Sequence, residues 1–496
     1  MEDPTLSVPR VFPRRLPAPS RSQLFRRAAR ILTAVARNFG PPAAGRLRGR
    51  AVPPGAWARP LRLTFEELGA TFVKFGQLVG SSPGVFGEVV ADELRTCLDT
   101  GPPVPVEQVR AAIEADLGMA LADAFASFGA EPIGRASIAV VHRATLADGR
   151  PVAVKVLRPG IEETVATDLD LIQPLLELVV HETGDQTLTQ LLQQLDGFRV
   201  QLGEELDLRN EARAMRHYRA LLQMVDLPLV TVPEPFPELS GPRVLTMELL
   251  DGVPVDDLAR VADFGYDPRP LVEQVLQAWF TTAIRWGMFH GDVHAGNLLL
   301  LRDGRIGVID WGIVGRLDPE THQYFLRVLE AALGDESAWI DVARHVSRQY
   351  GAAIAQVGLD EAGLTALVRS TIEPMLTRPF GEVSLGALIQ APQEQINRSI
   401  GAEAGARSLA GIARRFRAQR RVRALTEAQG LHGSGWDRGT FLLTKQLLYF
   451  ERYGRMFLSD VSLLDDREFF QAMLAGAPGR AGTGDRVGSG GGRPPG

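Results

Sequence analysis

The chain has 496 residues, of which 45 % are apolar and 23 % are charged, and this balance is typical of a globular protein. Its one cysteine, Cys97, excludes an intrachain disulfide scaffold, and a formal net charge of −5 does not favour nucleic-acid binding. The sequence has no apolar run of about 18 residues that could span a bilayer and no continuous apolar signal segment. These features predict a cytoplasmic protein, which would meet a membrane only peripherally, at its inner face.

Lysine is rare in this chain. Of the 54 basic residues only Lys74, Lys155 and Lys445 are lysines. Arginine has replaced lysine wherever a planar guanidinium serves, so the remaining lysines indicate positions that need a compact ammonium group.

The chain begins with a Pro- and Arg-rich segment, and we expect a flexible basic leader over 1–60 that contains one amphipathic helix, 22–39. Its apolar stripe consists of Leu24, Ala28, Ile31, Val35 and Phe39. Such a basic helix either lies on an anionic membrane or packs on its own domain. A Pro/Gly/Arg linker over 40–60 follows the helix.

Helical periodicity dominates 61–124, and a strand-rich region follows over 125–250. Two β-branched runs, 138–146 and 151–157, flank the turn ADGR and predict an antiparallel hairpin. The rest of the chain, 251–475, is mainly helical, and a Gly/Pro/Arg-rich tail over 476–496 is predicted to be disordered.

The second strand of the hairpin ends in Val-Ala-Val-Lys, with Lys155 in last place. In protein kinases a lysine at this point of a strand holds the α- and β-phosphates of ATP and pairs with a helix glutamate. Glu211 lies on the predicted helix between this strand and the strand 243–250, so we expect it to be that partner. The alternative is an exposed strand lysine and an exposed acidic helix face.

The sequence HGDVHAGN at 290–297 has the Asp-to-Asn spacing of a kinase catalytic loop. Asp292 would accept or orient the proton of a hydroxyl substrate, and Asn297 would bind Mg²⁺. The apolar run before Asp310 and the following Trp-Gly resemble the Asp-Phe-Gly motif, whose carboxylate binds the metal. A zinc site at His290 and His294 is the alternative, but such a site needs three or four donors.

The strand 243–247 predicts a hinge that contacts adenine. Met247 is the candidate gatekeeper residue, and the backbone of Glu248, Leu249 and Leu250 would face the base. This placement is inferred from the geometry of kinase hinges.

Together these motifs resemble those of the UbiB (AarF/ADCK-like) family of atypical kinases. The motifs that carry the resemblance are KFGQ at 74–77, ELD at 205–207 with NEA at 210–212, ASI at 136–138 with VHRA at 141–144, and the HGDxHxGN form of the catalytic loop. The match extends from about residue 60 to residue 330.

The resemblance implies an α+β, two-lobed protein-kinase-like fold, with a small antiparallel-sheet lobe, a larger helical lobe and an N-terminal helical extension that carries the KxGQ motif. Lys74 would reach the nucleotide pocket and pair with Glu205. The implied ligands are ATP or ADP and Mg²⁺, and the implied setting is isoprenoid quinone metabolism at a membrane. Asp292, Lys155 and Glu211 would form the catalytic set, and the residues predicted to bind the nucleotide and its metal are Lys74, Gln77, Gly134, Ala136, Ser137, Ile138, Ala153, Lys155, Glu205, Asp207, Met247, Glu248, Leu250, Asn297 and Asp310.

The nucleotide loop departs from the family's alanine-rich form. Gly134 and Arg135 precede Ala136, and Ala139-Val140 replace the usual Gly-Gln pair. Because glycine tolerates positive φ, Gly134 is expected to let the loop cradle phosphates. The preference between ATP and ADP stays open.

Three functions remain in competition. The first is an active UbiB-type kinase or ATPase that binds a nucleotide and acts near an anionic membrane surface, a lipid or a quinone precursor. The second is a nucleotide-binding pseudokinase that serves as a scaffold for a biosynthetic complex. The third is a small-molecule phosphotransferase of the aminoglycoside or choline type, which the KxGQ and ExD motifs disfavour.

Overall fold

The computed structural model describes residues 11, 14–47, 56–80, 88–97, 101–183, 186–225, 227–357, 359–382 and 438–477. The chain divides into two compact units, Met1–Asp267 with Asp292–Val314 and Pro268–Gly291 with Gly315–Gly496. The tail predicted over 476–496 lies outside the described residues beyond position 477, and so does the side chain of Lys445.

The described helices of the first unit begin with a helical extension and continue around the strands. They are α1 (Arg21–Leu47), α2 (Ala58–Leu68), α3 (Ala70–Gly80), α4 (Glu88–Arg95), α5 (Val106–Leu117), α6 (Leu121–Ala124), α7 (Ile161–Thr183), α8 (Gln186–Glu205), α9 (Leu208–Met224) and α10 (Leu258–Ala262).

Helix α1 is longer than the sequence predicts, and it packs on its own domain, which is one of the two alternatives that the sequence left open. It continues through Pro41 and Pro42 into the expected linker, where Phe39 stacks on Trp57 with ring centroids 5.8 Å apart. The predicted apolar stripe is mostly turned towards the protein, whereas Phe25 is 77 % exposed. Packing on α2 and α7 therefore outweighs the proline breaks and takes up the stripe.

Ion pairs anchor the N-terminal region to the first unit. Arg27 Nε lies 2.5 Å from Oδ1 of the fully buried Asp168. Farther upstream, Arg14 donates its backbone N–H to the Gly203 carbonyl at 2.8 Å and pairs with Glu162 at 2.8 Å. The expectation of a flexible leader is thus wrong for these residues, because buried carboxylates hold their guanidinium groups in place.

Two sheets position the functional residues of the first unit. The strands are β1 (Ser127–Arg135), β2 (Ala139–Thr145), β3 (Pro151–Leu157), β4 (Val230–Thr231), β5 (Val244–Glu248), β6 (Gly252–Pro254), β8 (Leu298–Leu301) and β9 (Ile306–Val308). The first sheet is antiparallel in the order β1-β2-β3-β5, and it includes the predicted hairpin. The second has the order β4-β9-β8-β6, with β4 and β9 parallel.

The first sheet is held by an apolar core on one face. β-branched residues of β2, β3 and β5 pack there against Val109 and Ile113 of α5, both fully buried. Burying such side chains contributes roughly 1.5–3 kcal/mol each, and it fixes the plane from which β3 presents its residues.

The second unit is mainly helical. Its elements are α11 (Arg269–Trp286), β7 (Met288–His290), β10 (Val314–Arg316, which begins on the last residue of the first unit), α12 (Pro319–Ala332), α13 (Glu336–Val357), α14 (Glu361–Thr377), α15 (Arg438–Phe457) and α16 (Arg467–Ala475). Trp279 of α11 is the centre of an aromatic core, with its ring 4.9 Å from those of Phe289 and Phe450.

The α+β fold class predicted from the sequence is confirmed, with a small antiparallel sheet in the first unit and helices throughout the second. Within the described ranges, every helix is too short or too polar to cross a bilayer.

Candidate active site

Lys155 is a buried cation on the central strand of the first sheet. Strand β3 is flanked by β2 and β5, so that Lys155 stands between Val141 and Leu245 in the register. The residue is 7 % exposed, and a buried ammonium requires a negative partner. Its Nζ donates to both carboxylate oxygens of Glu211, at 3.0 and 2.9 Å, and to Oδ1 of Asp310 at 3.0 Å. The pairing with Glu211 expected from the sequence is therefore present.

Glu211 is presented by the first turn of α9. The carboxylate of Asp207 caps this helix by accepting a hydrogen bond from the Arg209 backbone N–H at 3.1 Å. The guanidinium of Arg209 binds both oxygens of Asp207, at 2.9 and 2.6 Å. Asp207, predicted as a nucleotide-binding residue, thus acts in this structure on the helix that carries Glu211.

Asp310 has an unusual backbone conformation. Among the described residues it is the one non-glycine with positive φ, at 56°. Such a left-handed conformation costs about 1–2 kcal/mol, so it persists only where the surroundings enforce it.

The neighbour of Asp310, Trp311, supplies that constraint. Its backbone N–H donates to Glu211 Oε1 at 3.2 Å, and its indole N–H donates to the Val308 carbonyl at 2.9 Å. The indole ring is 1 % exposed and lies 4.2 Å from the ring of Tyr218, which is also on α9. Helix α9 therefore fixes the Asp-Trp-Gly segment as well as Lys155.

Asn297 and Asp310 stand at the same end of two paired strands. The Asn297 carbonyl accepts the Ile309 N–H at 2.9 Å, which extends the antiparallel pairing of β8 and β9 by one residue. The side-chain N–H of Asn297 donates to the Asp292 carbonyl at 2.9 Å. This hydrogen bond leaves the amide oxygen of Asn297 as a donor atom for a hard cation.

Asp292 lies in the predicted catalytic loop, before the short 3₁₀ turn Ala295–Asn297. Its side chain is 21 % exposed, and its Oδ2 lies 3.9 Å from Nε2 of His294. The loop is closed by a hydrogen bond from the Gly296 N–H to His294 Nδ1 at 3.1 Å. A partly exposed carboxylate in a closed loop can orient a hydroxyl substrate.

Opposing electrostatic effects act on the central triad. Burial raises the pKa of Asp310, but the positive charges of Lys155 and Lys74 outweigh that effect and hold the pKa below its usual range. Burial lowers the pKa of Lys155, but Asp310 and Glu211 together raise it above its usual range. Burial also raises the pKa of Glu211, which Lys155 opposes. Lys155 and Asp310 are therefore charged at neutral pH.

Lys74 forms a second ion pair beside this triad, and this pair is partly buried. Its Nζ lies 3.1 Å from Oε2 of Glu205, the last residue of α8. Lys74 and Gln77 are three residues apart on α3, which places them on one side of the helix. The charge of Lys74 also acts on Asp310, as the lowered pKa of that carboxyl indicates.

The nucleotide loop, residues 136–138, connects β1 and β2. Ala136 donates its N–H to the Ala139 carbonyl at 2.9 Å, and Ser137 and Ile138 are buried. Gly134, however, is part of β1 and is not among the residues with positive φ. The positive φ expected to let Gly134 help the loop cradle phosphates is absent, because pairing with Val141 of β2 keeps Gly134 extended.

The predicted hinge is only partly free to contact a base. Met247 is 8 % exposed and pairs with Ala153 across β3 and β5. The N–H of Glu248 donates to the Glu234 carbonyl at 2.8 Å, and the N–H of Leu249 donates to the Pro151 carbonyl at 3.4 Å. These two amides are therefore committed within the protein, contrary to expectation.

Leu250 reaches the second sheet from the hinge. A Cβ built at Gly307 would lie 2.5 Å from Leu250 Cδ1, so a larger residue there would force the Leu250 side chain to shift. The hinge is thereby packed on β9, the strand that leads to Asp310.

Sequence reasoning did not find Arg158 or the role of Tyr218. Arg158 donates from Nε to the Ala136 carbonyl at 2.9 Å and from Nη1 to the Pro102 carbonyl at 2.5 Å. A signal was available for Tyr218, since it lies seven residues after Glu211 and so on the same side of the helix. Nothing in the sequence distinguishes Arg158 from the other arginines, because its acceptors are backbone carbonyls.

The chain is similar to several known proteins and to one family model. A family model described as the ABC1 atypical kinase-like domain matches residues 96–342. An uncharacterized aarF domain-containing chloroplastic protein kinase of Arabidopsis thaliana is 32 % identical over 413 residues, which is 82 % of this chain and 73 % of the relative. A probable protein kinase UbiB of Azotobacter vinelandii is 34 % identical over 334 residues, 66 % of this chain and 61 % of the relative.

An uncharacterized protein of Mycobacterium tuberculosis is 40 % identical over 294 residues, which is 58 % of this chain. The match spans 60 % of the length of that relative. Among solved structures, the Rv3197–erythromycin complex of the same organism has a TM-score of 0.41 at 22 % identity, covering 79 % of this chain and 95 % of that chain.

Proposed function

Because the chain belongs to the ABC1 (UbiB/aarF) family of atypical kinases, we propose that it binds ATP with Mg²⁺ and hydrolyses it or transfers its γ-phosphoryl group. The observation that supports this proposal most is the triad in which the buried Lys155 contacts both the buried Glu211 and the half-exposed Asp310. A lysine held between a helix glutamate and the metal-binding aspartate is the arrangement that phosphoryl transfer in kinases requires.

The donor set fits Mg²⁺. Asp310 offers a carboxylate that is 45 % exposed, and Asn297 offers an amide oxygen at the same end of the strand pair. Hard oxygen donors of this kind, completed by phosphates and water, suit the ion. When bound there, Mg²⁺ neutralises the charge that develops on the phosphates.

The protein's own residues would perform the remaining steps. Lys155 holds the α- and β-phosphates, and Glu211 positions Lys155 by removing the freedom of a side chain with about 2 kcal/mol of rotamer entropy. Asp292 orients the hydroxyl of the acceptor, or water, for attack in line with the leaving oxygen. The Leu250 backbone and the Met247 side chain would face the adenine.

A nucleotide-binding scaffold without turnover is the main alternative, and a phosphotransferase of the aminoglycoside or choline type is the other. The scaffold requires only the binding residues, whereas turnover also needs Asp292. The Lys74–Glu205 pair distinguishes the chain from the small-molecule kinases, which lack the motifs that supply it.

The test is an ATPase assay paired with isothermal titration of Mg-ATP, with and without anionic vesicles and phenolic quinone-precursor mimics. We expect Mg²⁺-dependent hydrolysis that is absent in Asp292→Asn, while this variant still binds nucleotide. Binding without hydrolysis in the wild type would favour the scaffold, and the absence of both would overturn the proposal.

A peripheral site for an anionic membrane is supported by the exposed side of α1. This helix contains six arginines and no acidic residue over 21–47. Phe25 and Leu32, 77 % and 69 % exposed, lie on one side of it together with Arg26 and Ala29. The side that would meet lipid thus borders the stripe that the sequence suggested and is not the stripe itself, because that stripe packs on the protein. We further propose a supporting role in isoprenoid quinone or other membrane-lipid metabolism, at the inner face of the membrane.

Vesicle flotation tests this surface. Phe25→Ser with Leu32→Ser should reduce binding to phosphatidylglycerol vesicles, because apolar insertion and charge attraction act together. Leu258→Ser on α10, equally an exposed leucine, is the control. Deletion of 1–45 is a poorer test, since it would strand the buried Asp168 that pairs with Arg27. Equal flotation of both variants would contradict the membrane proposal.

A further inference from the structure

Arg158 is a buried cation that joins the strand of Lys155 to the nucleotide loop. It directly follows β3 and is 7 % exposed. Its backbone N–H donates to the Ile138 carbonyl at 2.9 Å, and its Nε donates to the Ala136 carbonyl at 2.9 Å. Arg158 therefore donates hydrogen bonds to the first and the last residue of the loop 136–138.

The same guanidinium also holds the connection to the helical extension. Its Nη1 donates to the Pro102 carbonyl at 2.5 Å, in a segment where Pro102, Pro103 and Pro105 restrict φ. A Cβ built at Gly101 would lie 2.2 Å from Arg158 Nη2, so this approach requires glycine. The Arg158 guanidinium thus donates hydrogen bonds both to the nucleotide loop and to the segment 101–105.

The direction of a carbonyl fixes the direction of the next amide. In a planar trans peptide the C=O and the following N–H point in opposite directions. With the Ala136 carbonyl turned towards Arg158, the Ser137 N–H points away from it. This loop has no glycine between Arg135 and Val140, so it cannot rely on glycine for that orientation.

We propose that Arg158 is a positioning residue that fixes the backbone of the nucleotide loop in the conformation that binds the phosphates of the nucleotide. It also couples the loop to the segment 101–105, and so to the helical extension. The proposal rests on the proposed nucleotide site and adds a residue that holds the loop without touching the ligand.

Three variants and a control test it. In Arg158→Met the loop loses a charged donor, and the Kd for Mg-ATP should rise about ten- to hundredfold. KM should rise accordingly, with kcat changed much less. Arg158→Lys should not restore affinity, because a single ammonium cannot replace the planar guanidinium that donates to the Ala136 and Pro102 carbonyls at once. Arg150→Met, at the turn before β3, is the control and should bind normally.

Gly101→Ala is the second route, since it displaces the guanidinium and leaves every loop residue unchanged. The Kd of Gly101→Ala for Mg-ATP should also rise, by a smaller factor than in Arg158→Met. Hydrogen–deuterium exchange of peptides that span 136–138 should be faster in Arg158→Met and Gly101→Ala than in the wild type, without added nucleotide.

The outcomes separate the two proposals. If the wild type binds no nucleotide, the proposed function fails, and exchange in the free protein still decides whether Arg158 holds the loop. Unchanged exchange together with unchanged Kd in Arg158→Met, or full rescue by Arg158→Lys, would overturn the positioning role.

Discussion

Lys155 and Lys74 are two ammonium groups of the first unit, the first buried and the second partly buried, that are held in different ways. Lys155 is on a central strand, its side chain is 9 % exposed, and it contacts carboxylates from α9 and from the turn after β9. Lys74 is on a helix of the extension, is 14 % exposed and pairs with the end of α8.

The difference shows which cation builds the site and which adjusts it. Lys155 joins three elements, so its removal changes the geometry of Glu211 and Asp310 together. Lys74 acts on Asp310 through charge and lies on an added helix. In the proposed function we therefore expect the strand lysine to determine nucleotide binding and the helix lysine to modulate the charge around it.

The largest expected effect is on stability. Glu211→Gln should lower the free energy of unfolding by roughly 3 kcal/mol, because it breaks a buried pair and weakens the grip on Trp311. Glu205→Gln, the matched change at Lys74, should cost about 1–2 kcal/mol, since Lys74 is nearer to solvent. Urea denaturation compares the two variants, and equal losses would remove the distinction between the lysines.

Loss of the carboxylate in Asp310→Asn should come next. Nucleotide binding that depends on Mg²⁺ should fall by at least about a hundredfold, because a metal donor and the counter-charge of Lys155 are removed at once. The measurement is thermal stabilisation by Mg-ATP. Stabilisation equal to that of the wild type would contradict the assignment of Asp310.

A charge-conserving exchange sharpens the comparison further. Lys155→Arg should weaken Mg-ATP binding about tenfold, because a planar fork cannot replace a compact ammonium between two carboxylates. Lys74→Arg should alter the Kd by about threefold or less, as its contribution is mainly charge. Isothermal titration measures both, and the reverse order would show that the helix lysine carries the site.

The smallest expected effect is that of pH. The pKa of Asp310 is held below its ordinary 3.8, so its contribution to stability is present above that pH and is lost as the pH falls below it. The pKa of Lys155 is raised above its ordinary 10.5, so its contribution is present below that pH and is lost above it. In Lys155→Met the ammonium that opposes the effect of burial on the pKa of Glu211 is lost, so this variant loses stability as the pH rises and Glu211 ionises. The stability difference between the wild type and Lys155→Met should therefore grow with rising pH and then level off. A difference that does not change with pH would contradict the coupling of Glu211 to Lys155.

The sequence predicted the parts of the site that depend on short motifs. The hairpin with Lys155 and the contact to Glu211 follow from residue types whose charges must be paired when they are buried. The lysine–carboxylate contacts were therefore accessible before the structure.

The remaining features depend on packing over long distances. Helix α1 continues past Pro41 because its inner side packs on other helices, and Gly134 stays extended because β2 pairs with it. The amides of Glu248 and Leu249 bind backbone carbonyls that no side-chain pattern reveals, and the same holds for Arg158. Such partners can be identified only from coordinates.

The most direct test of the account is a crystal structure of the full chain with Mg²⁺ and a non-hydrolysable ATP analogue. The account predicts the ion about 2.1 Å from oxygens of Asp310 and Asn297, with Lys155 Nζ in hydrogen-bond contact with the α- or β-phosphate. A nucleotide bound elsewhere, with Lys155 still held between Glu211 and Asp310 and no ion beside them, would contradict it.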